Sequence, residues 1–193
     1  MLNQLIQNQL DGHNIQLKSL KPKHKKELIA IAQNELIWRF NQPVNMPLKS
    51  FIDSYIDSMF SSHQNDSFVY VVLNNNQIIG STRFYEASEK DKRLCIGFTW
   101  YCPTVWGTHV NPEAKYLLLN HAFKDLHMNR VGFHVDSRNA RSISAMLRLG
   151  ANLEGVMKQH KIVQKNVVRD TVLFGIVKED WPAIKVKLTN RFK

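Results

Sequence analysis

The sequence predicts one mixed α/β domain, a mostly antiparallel sheet flanked by helices. Three observations predict it. First, the apolar period switches along the chain between helix-like stripes and strand-like runs. Second, the segments follow the order strand, two helices, three-stranded meander, helix, strand, helix, hairpin and terminal helix. Third, 193 residues at 44% hydrophobic composition can bury a large core, and no linker interrupts them. A single domain over residues 1–193 is the expectation, and a wholly disordered chain is excluded.

Residues 14–17 alternate and predict a short strand. Lys23 to about Phe40 predicts a helix, with Leu28, Ile31, Ala32 and Leu36 apolar. A second helix begins near Pro47. Its Leu48, Phe51, Ile52, Tyr55, Ile56, Met59 and Phe60 form one apolar face. Phe68–Leu73 predicts a strand, Asn74–Asn76 a turn, and Gln77–Tyr85 its hairpin partner. A charged loop, Glu86–Arg93, leads to a third strand, Leu94–Tyr101, ended by Pro103. Asn111 fits a helix cap followed by Pro112 and Glu113, with the helix running to about His127. Val131–Val135 predicts a strand, and Ala140–Leu149 a helix closed by Gly150. Val156–Val163 and Val167–Val177 predict a hairpin around Gln164–Asn166, and Lys178–Phe192 a final helix.

The formal charge is +10 and it is uneven. Residues 1–96 hold 11 basic and 9 acidic residues, whereas residues 97–193 hold 15 and 7. An anionic partner is therefore expected on the C-terminal half. The basic run from Lys18 to Lys26 reads as a solvated helix entry, with no nucleic-acid module beside it. Two cysteines, Cys95 and Cys102, give no disulfide framework, and the histidines show no metal-ligand spacing. No metal is expected. The N-terminus lacks the pattern of a signal peptide, and no run approaches a membrane span. The expected setting is cytoplasmic, with no membrane partner.

The segment Thr104-Val105-Trp106-Gly107-Thr108-His109-Val110-Asn111 joins a strand to a helix through a glycine turn. Backbone N–H groups at such a turn, backed by the helix dipole, can cradle an anion. The pattern alone also fits an ordinary turn. It lacks the Lys-Ser/Thr of a nucleotide loop and the three glycines of a dinucleotide fingerprint.

Together with Cys95–Tyr101, Asn139-Ala140-Arg141-Ser142 and Leu149–Gly155, this turn resembles the GNAT acetyltransferases, and within them the RimJ/RimL-type branch. The resemblance runs from Leu10 to the Trp181-Pro182 tail. The family turn reads Gln/Arg-x-x-Gly-x-Gly/Ala. Here Thr104 stands first, Gly107 in the middle and His109 last. His109 must therefore fit without a positive φ. Protonated, it would add to anion binding; the other reading turns it to solvent.

The resemblance implies the GNAT fold, with central strands splayed into an acetyl-CoA cleft. It implies cosubstrate contacts from Phe98, Thr99, Trp100, Thr104, Trp106, Gly107, Thr108, His109, Val110, Asn111, Asn139 and Ser142. The pantetheine arm would pair with the opened strand. Asn139 would orient that loop or cap the Ala140 helix, and both roles are compatible. Ser142 is the implied acid for the leaving thiolate; the alternative is a solvent-facing helix serine.

Many relatives carry a Glu on the strand before the turn, where this chain reads Leu94-Cys95-Ile96-Gly97. His160 ranks first as base, ahead of Glu154 and Asp170. The acceptor pocket is expected at Trp38, Arg39, Phe40, Arg83 and Trp100, walls suited to an amine near a carboxylate or peptide carbonyls. The alternative makes these aromatics core and Arg83 a sheet-surface charge.

The reading is an N-acetyltransferase acting on a protein N-terminus or small amine, with a homodimer allowed by the last hairpin's exposed edge. A catalytically degenerate CoA-binding domain and a basic nucleic-acid-binding protein are the competing readings.

Overall fold

Eight strands hydrogen-bond into one sheet in the order β1-β2-β3-β4-β5-β6-β8-β7. They are β1 (Gln9–Asp11), β2 (Ile15–Ser19), β3 (Ser67–Asn74), β4 (Gln77–Ser88), β5 (Arg93–Tyr101), β6 (Arg130–Asp136), β7 (Asn152–Val163) and β8 (Val167–Val177). The helices are α1 (Lys25–Ile31), α2 (Leu48–Asn65), α3 (Val110–Asn120), α4 (Ala140–Leu149) and α5 (Trp181–Thr189). The computed structural model describes residues 6–40, 46–65, 67–163 and 167–192. The expected turn at Gln164–Asn166 lies outside them.

Two apolar layers sandwich the sheet. α3, α4 and α5 cover one face, over Leu17, Tyr70, Val72, Phe84, Ile96, Phe133 and Val135. α1 and α2 cover the other, over Val69, Val71, Leu73 and Trp100. Buried Glu113 ties the first hairpin to α3. Its carboxylate accepts from the Asn14 backbone N–H at 2.7 Å and the Asn14 side chain at 3.0 Å. A Cβ on Gly12 would collide with that carboxylate, so the residue there must be small.

Five expectations need correction. β1 was not foreseen; three residues give too short a pattern to read. The expected helix Lys23–Phe40 is three pieces: a 3-10 turn Pro22–His24, α1, and a second 3-10 turn Glu35–Ile37. Asn34 makes the break, because its side chain accepts the Leu36 N–H at 3.0 Å and starts a new turn. Asn111 does not cap α3 but lies inside its first turn. The Thr108 hydroxyl accepts the Val110 N–H at 3.3 Å instead. β4 runs on to Ser88, leaving only a short loop before β5. The last hairpin starts at Asn152, not Val156.

Candidate active site

Among the described residues, β5 and β6 are the one parallel pair, and they pair only over Arg93–Cys95 against Arg130–Gly132. Beyond Cys95 they part. A bulge in β5 accompanies the parting. Arg83 pairs with Gly97 but Ser81 pairs with Trp100, so β5 holds one extra residue opposite Thr82. Phe98 absorbs the distortion with φ 49°, rare for a bulky side chain, and is 52% exposed. The result is a gap in the sheet flanked by unpaired β5 backbone.

At the end of β5 the chain turns through Pro103–Val105 into α3. Gly107 takes φ 77°, and a Cβ there would meet nothing within 4 Å, so the space beside the turn is open. Helix geometry leaves the first-turn N–H groups without helical partners. Thr108 takes that of Val110 and Pro112 has none. Those of Gly107–His109 and Asn111 are the candidates for an anion. His109 sits at φ −63°, so it fits without a left-handed backbone. It is not turned to solvent: its Nε2 is buried and without a hydrogen-bond partner. The Arg141 guanidinium lies over the Trp106 ring at 3.6 Å, bringing a cation beside the turn. Thr104 is exposed on the short turn before Trp106.

Across the gap, Asn139 caps α4: its Oδ1 accepts the Ser142 N–H at 3.0 Å. Its amide N–H₂ keeps its donors for other partners. Ser142 sits half-buried in that first turn. Arg138 is engaged with Asp136 at 2.7 Å and also lies 6.0 Å from the Phe40 ring. The Arg39–Phe40 corner therefore approaches the β6–α4 loop.

The expected acceptor wall divides. Trp38 belongs to the core: it is fully buried, its Nε1 donates to the Ala32 carbonyl at 2.7 Å, and its ring meets Phe51, Tyr55 and Trp100. Such a side chain backs a pocket rather than lining it. Trp100 is also buried, against Trp38. Arg83 is no sheet-surface charge. It is 4% exposed, with its guanidinium 4.2 Å from the Phe98 ring.

His160 shares a hydrogen bond with Thr171 at 3.0 Å. Regular alternation of its strand would put His160 on one face with Lys158 and Ile162, but β7 bulges between Met157 and Lys161, with Gln159 at φ 50°. Glu154 is engaged by a bidentate pair with Arg130, which lowers its pKa. Asp170 accepts from the Gln159 N–H and from Lys158, and both contacts lower its pKa. Both carboxylates are thus held by partners.

Sequence reasoning missed a cluster beside the gap. Glu86, Cys95 and His134 bring one ligand-type atom each to within 4.8 Å of one another. Glu86 reaches Cys95 because β4 bulges there, with Glu86 at φ 49°. Burial, then the Glu86 charge, pushes the Cys95 thiol up to about 11, so it is a neutral thiol facing a carboxylate. Burial keeps His134 below the usual histidine value. These residues offer a proton relay, and their donor atoms are of the kinds that bind a metal ion. The one sequence signal was Glu86 at the start of the expected charged loop, directly after the predicted strand; the bulge that aims it is a tertiary event.

Lys115 was also missed. It is buried under the gap, with Nζ 3.2 Å from Thr99 Oγ1 and 5.8 Å from the Phe133 ring centre. Burial lowers its pKa to about 7.

The model of the acetyltransferase (GNAT) domain family matches residues 14–152. The uncharacterized N-acetyltransferase YoaA of Bacillus subtilis (strain 168) is 23% identical over 172 residues, covering 88% of this chain and 96% of that protein. Among solved structures, a GCN5-related N-acetyltransferase from Brucella melitensis superposes with TM-score 0.86 at 22% identity, over 97% of this chain and 87% of its own. Mycobacterium smegmatis RimJ, solved in complex with CoA-disulfide, superposes with TM-score 0.78 at 17% identity, covering 91% and 88% of the two chains.

Proposed function

This chain belongs to the GNAT family of acetyltransferases, and from that premise we propose that it moves the acetyl group of acetyl-CoA directly onto a primary amine, of a protein N-terminus or a small molecule. Acetyl-CoA supplies an activated acyl carbon with a thiolate leaving group. The observation that carries the proposal is the gap between β5 and β6, opened by the Phe98 bulge and closed at one end by the Gly107 turn. A thioester arm fits that gap as an added strand.

Each part of the chain then has a task. The N–H groups of Gly107–His109 and Asn111, with His109 and Arg141, hold the pyrophosphate. Trp106, Thr104, Thr108 and Val110 shape that turn. Backbone groups of Phe98, Thr99 and Trp100 pair with the pantetheine arm, and an N–H of this bulged stretch stabilises the oxyanion. Asn139 orients the opposite loop, and Ser142 protonates the departing thiolate. The attacking amine must be neutral, so a base must take its proton. His160 is that base, on the same side of the sheet as His134 and Glu86. Arg39, Phe40 and Arg83 line the acceptor side, with Trp38 behind them. The setting is cytoplasmic and the chemistry needs no metal.

The exposed apolar side chains Leu153, Val156, Ile162 and Val168 on the edge hairpin support pairing with a second copy. Light scattering of the purified chain reads this out: a dimer mass agrees and a monomer mass refutes it.

The activity is tested by heat stabilisation with acetyl-CoA or CoA, then by thiol release as amines are supplied. Stabilisation with amine-dependent thiol release is expected. Absence of both would overturn the proposal, and stabilisation without turnover on any amine would favour the degenerate CoA-binding reading.

A further inference from the structure

Three buried polar side-chain atoms without partners gather on one face of β4 and β5. They are Ser81 Oγ, Arg83 Nε and Trp100 Nε1. Ser81 stands directly across from Trp100 in the ladder, and Arg83 is the next residue of β4 on the same face. All three residues are more than nine-tenths buried. This is the face covered by α2 and the Trp38 corner, on the acceptor side of the gap.

Arg83 is the decisive member. Among the described residues no carboxylate forms an ion pair with it. A buried guanidinium without counter-charge is costly, because arginine keeps its proton. Its neighbours do not supply that charge. Tyr55 lies beside it, and burial raises the pKa of that phenol, so it stays neutral. The Phe98 ring offers only a quadrupole. A missing anion is the simplest completion of the site.

The donors define the anion. Arginine and tryptophan N–H groups donate only, and the serine hydroxyl can donate as well. Donors presented by two adjacent strands on one face of the sheet suit the two oxygens of a carboxylate. The position defines the rest of the molecule. Arg83 stacks on Phe98, the residue whose bulge opens the gap, so the carboxylate lies one side chain away from the reacting amine.

We propose that Ser81, Arg83 and Trp100 form a carboxylate subsite in the acceptor pocket, and that the acceptor is a small amine of the amino-acid class. This rests on the acetyltransferase reading above, and it selects among the acceptors that reading allows. A protein N-terminus carries no carboxylate at that distance unless an acidic side chain follows it.

The test uses the full chain, acetyl-CoA and matched amines: alanine against ethylamine and alaninamide, phenylalanine against phenethylamine. Thiol release should favour an acid over its partners by ~10–100-fold in kcat/KM, the effect of losing a charge-assisted hydrogen bond. R83M should raise the acid's KM by a similar factor while leaving acetyl-CoA binding unchanged, and R83K should recover part of the loss. W100F removes one donor from the same subsite, so it gives a second reading if R83M fails to fold. Equal rates within the pairs, or preference for the amines or amides, would overturn the proposal. If no amine is turned over, the readout is binding. In the CoA-bound protein, amino acids should raise Tm for the wild type and less for W100F and R83M. No shift with any acid, or a shift with inorganic phosphate alone, would overturn it. The failure of the acetyltransferase reading looks different: acetyl-CoA and CoA themselves would then give no stabilisation.

Discussion

Lys115 and Arg83 are cations buried on opposite faces of the same strand pair, and neither has a carboxylate partner among the described residues. They meet burial in different ways. Lys115 lies on the α3 face against Thr99 and Phe133, and there its pKa falls to about 7. It can shed its charge. An arginine has no such exit, so Arg83 keeps a charge that only a ligand or water can answer. The difference teaches which buried cation to read as a binding site. A lysine can be accommodated by deprotonation, while an arginine without a counter-ion points outward to chemistry not held in the chain. The Lys115 face underlies the gap, and the Arg83 face is where the proposed function puts the acceptor and the proton transfer.

The largest expected effect tests where the proton chemistry lies. The double variant S142A/H160A should lower kcat by ~100-fold or more, the usual scale of acid–base catalysis, with acetyl-CoA binding retained. Single-turnover thiol release measures it, and an unchanged rate would remove both residues from the mechanism. R83M comes next. Its loss on carboxylate acceptors should appear in KM, and urea unfolding of the free protein should show equal or greater stability, because an unpaired buried charge is gone. Lower stability would mean that Arg83 is structural.

K115M breaks the comparison from the other side. The unfolded lysine titrates near its ordinary value of 10.5, the folded one near about 7. Between these values the unfolded chain holds a proton that the folded chain lacks, so wild-type stability rises with pH across that window. Below it, both states are protonated and the cost of burial is constant. K115M should therefore be more stable by ~1–3 kcal/mol near and below neutrality, with the advantage shrinking as pH rises toward the upper limit. Urea midpoints across this range test it; a pH-independent difference would contradict a neutralised Lys115. The smallest effect concerns Cys95. Its raised pKa and burial predict alkylation slower than that of an unperturbed thiol, and E86Q should speed it by lowering the thiol pKa.

Much of the fold was legible because apolar periodicity is local. The α2 stripe and the β3–β5 meander follow directly from it. The elements misread were those decided by one polar side chain, Asn34 breaking the first helix and Thr108 capping α3. The strand-to-helix turn was legible through Gly107 and its place before a helix. The acceptor side was less so. Strand alternation cannot foresee the bulges at Phe98, Glu86 and Gln159, yet these aim Glu86 and His160 and open the gap. Lys115 follows Ala114 in a helix whose apolar stripe reads Ala114, Leu117 and Leu118, so the pattern turned it outward. That Ser81 Oγ, Arg83 Nε and Trp100 Nε1 lack hydrogen-bond partners is visible only once neighbouring strands are in register.

One competition experiment tests the central claim most directly. Acetyl-CoA is given to the protein with an equimolar pool of amino acids and their decarboxylated amines, and the acetylated products are identified by mass spectrometry. The account predicts N-acetyl amino acids, formed only with the protein present and suppressed in R83M. Products drawn equally from both halves of the pool, or from the amines alone, would contradict it.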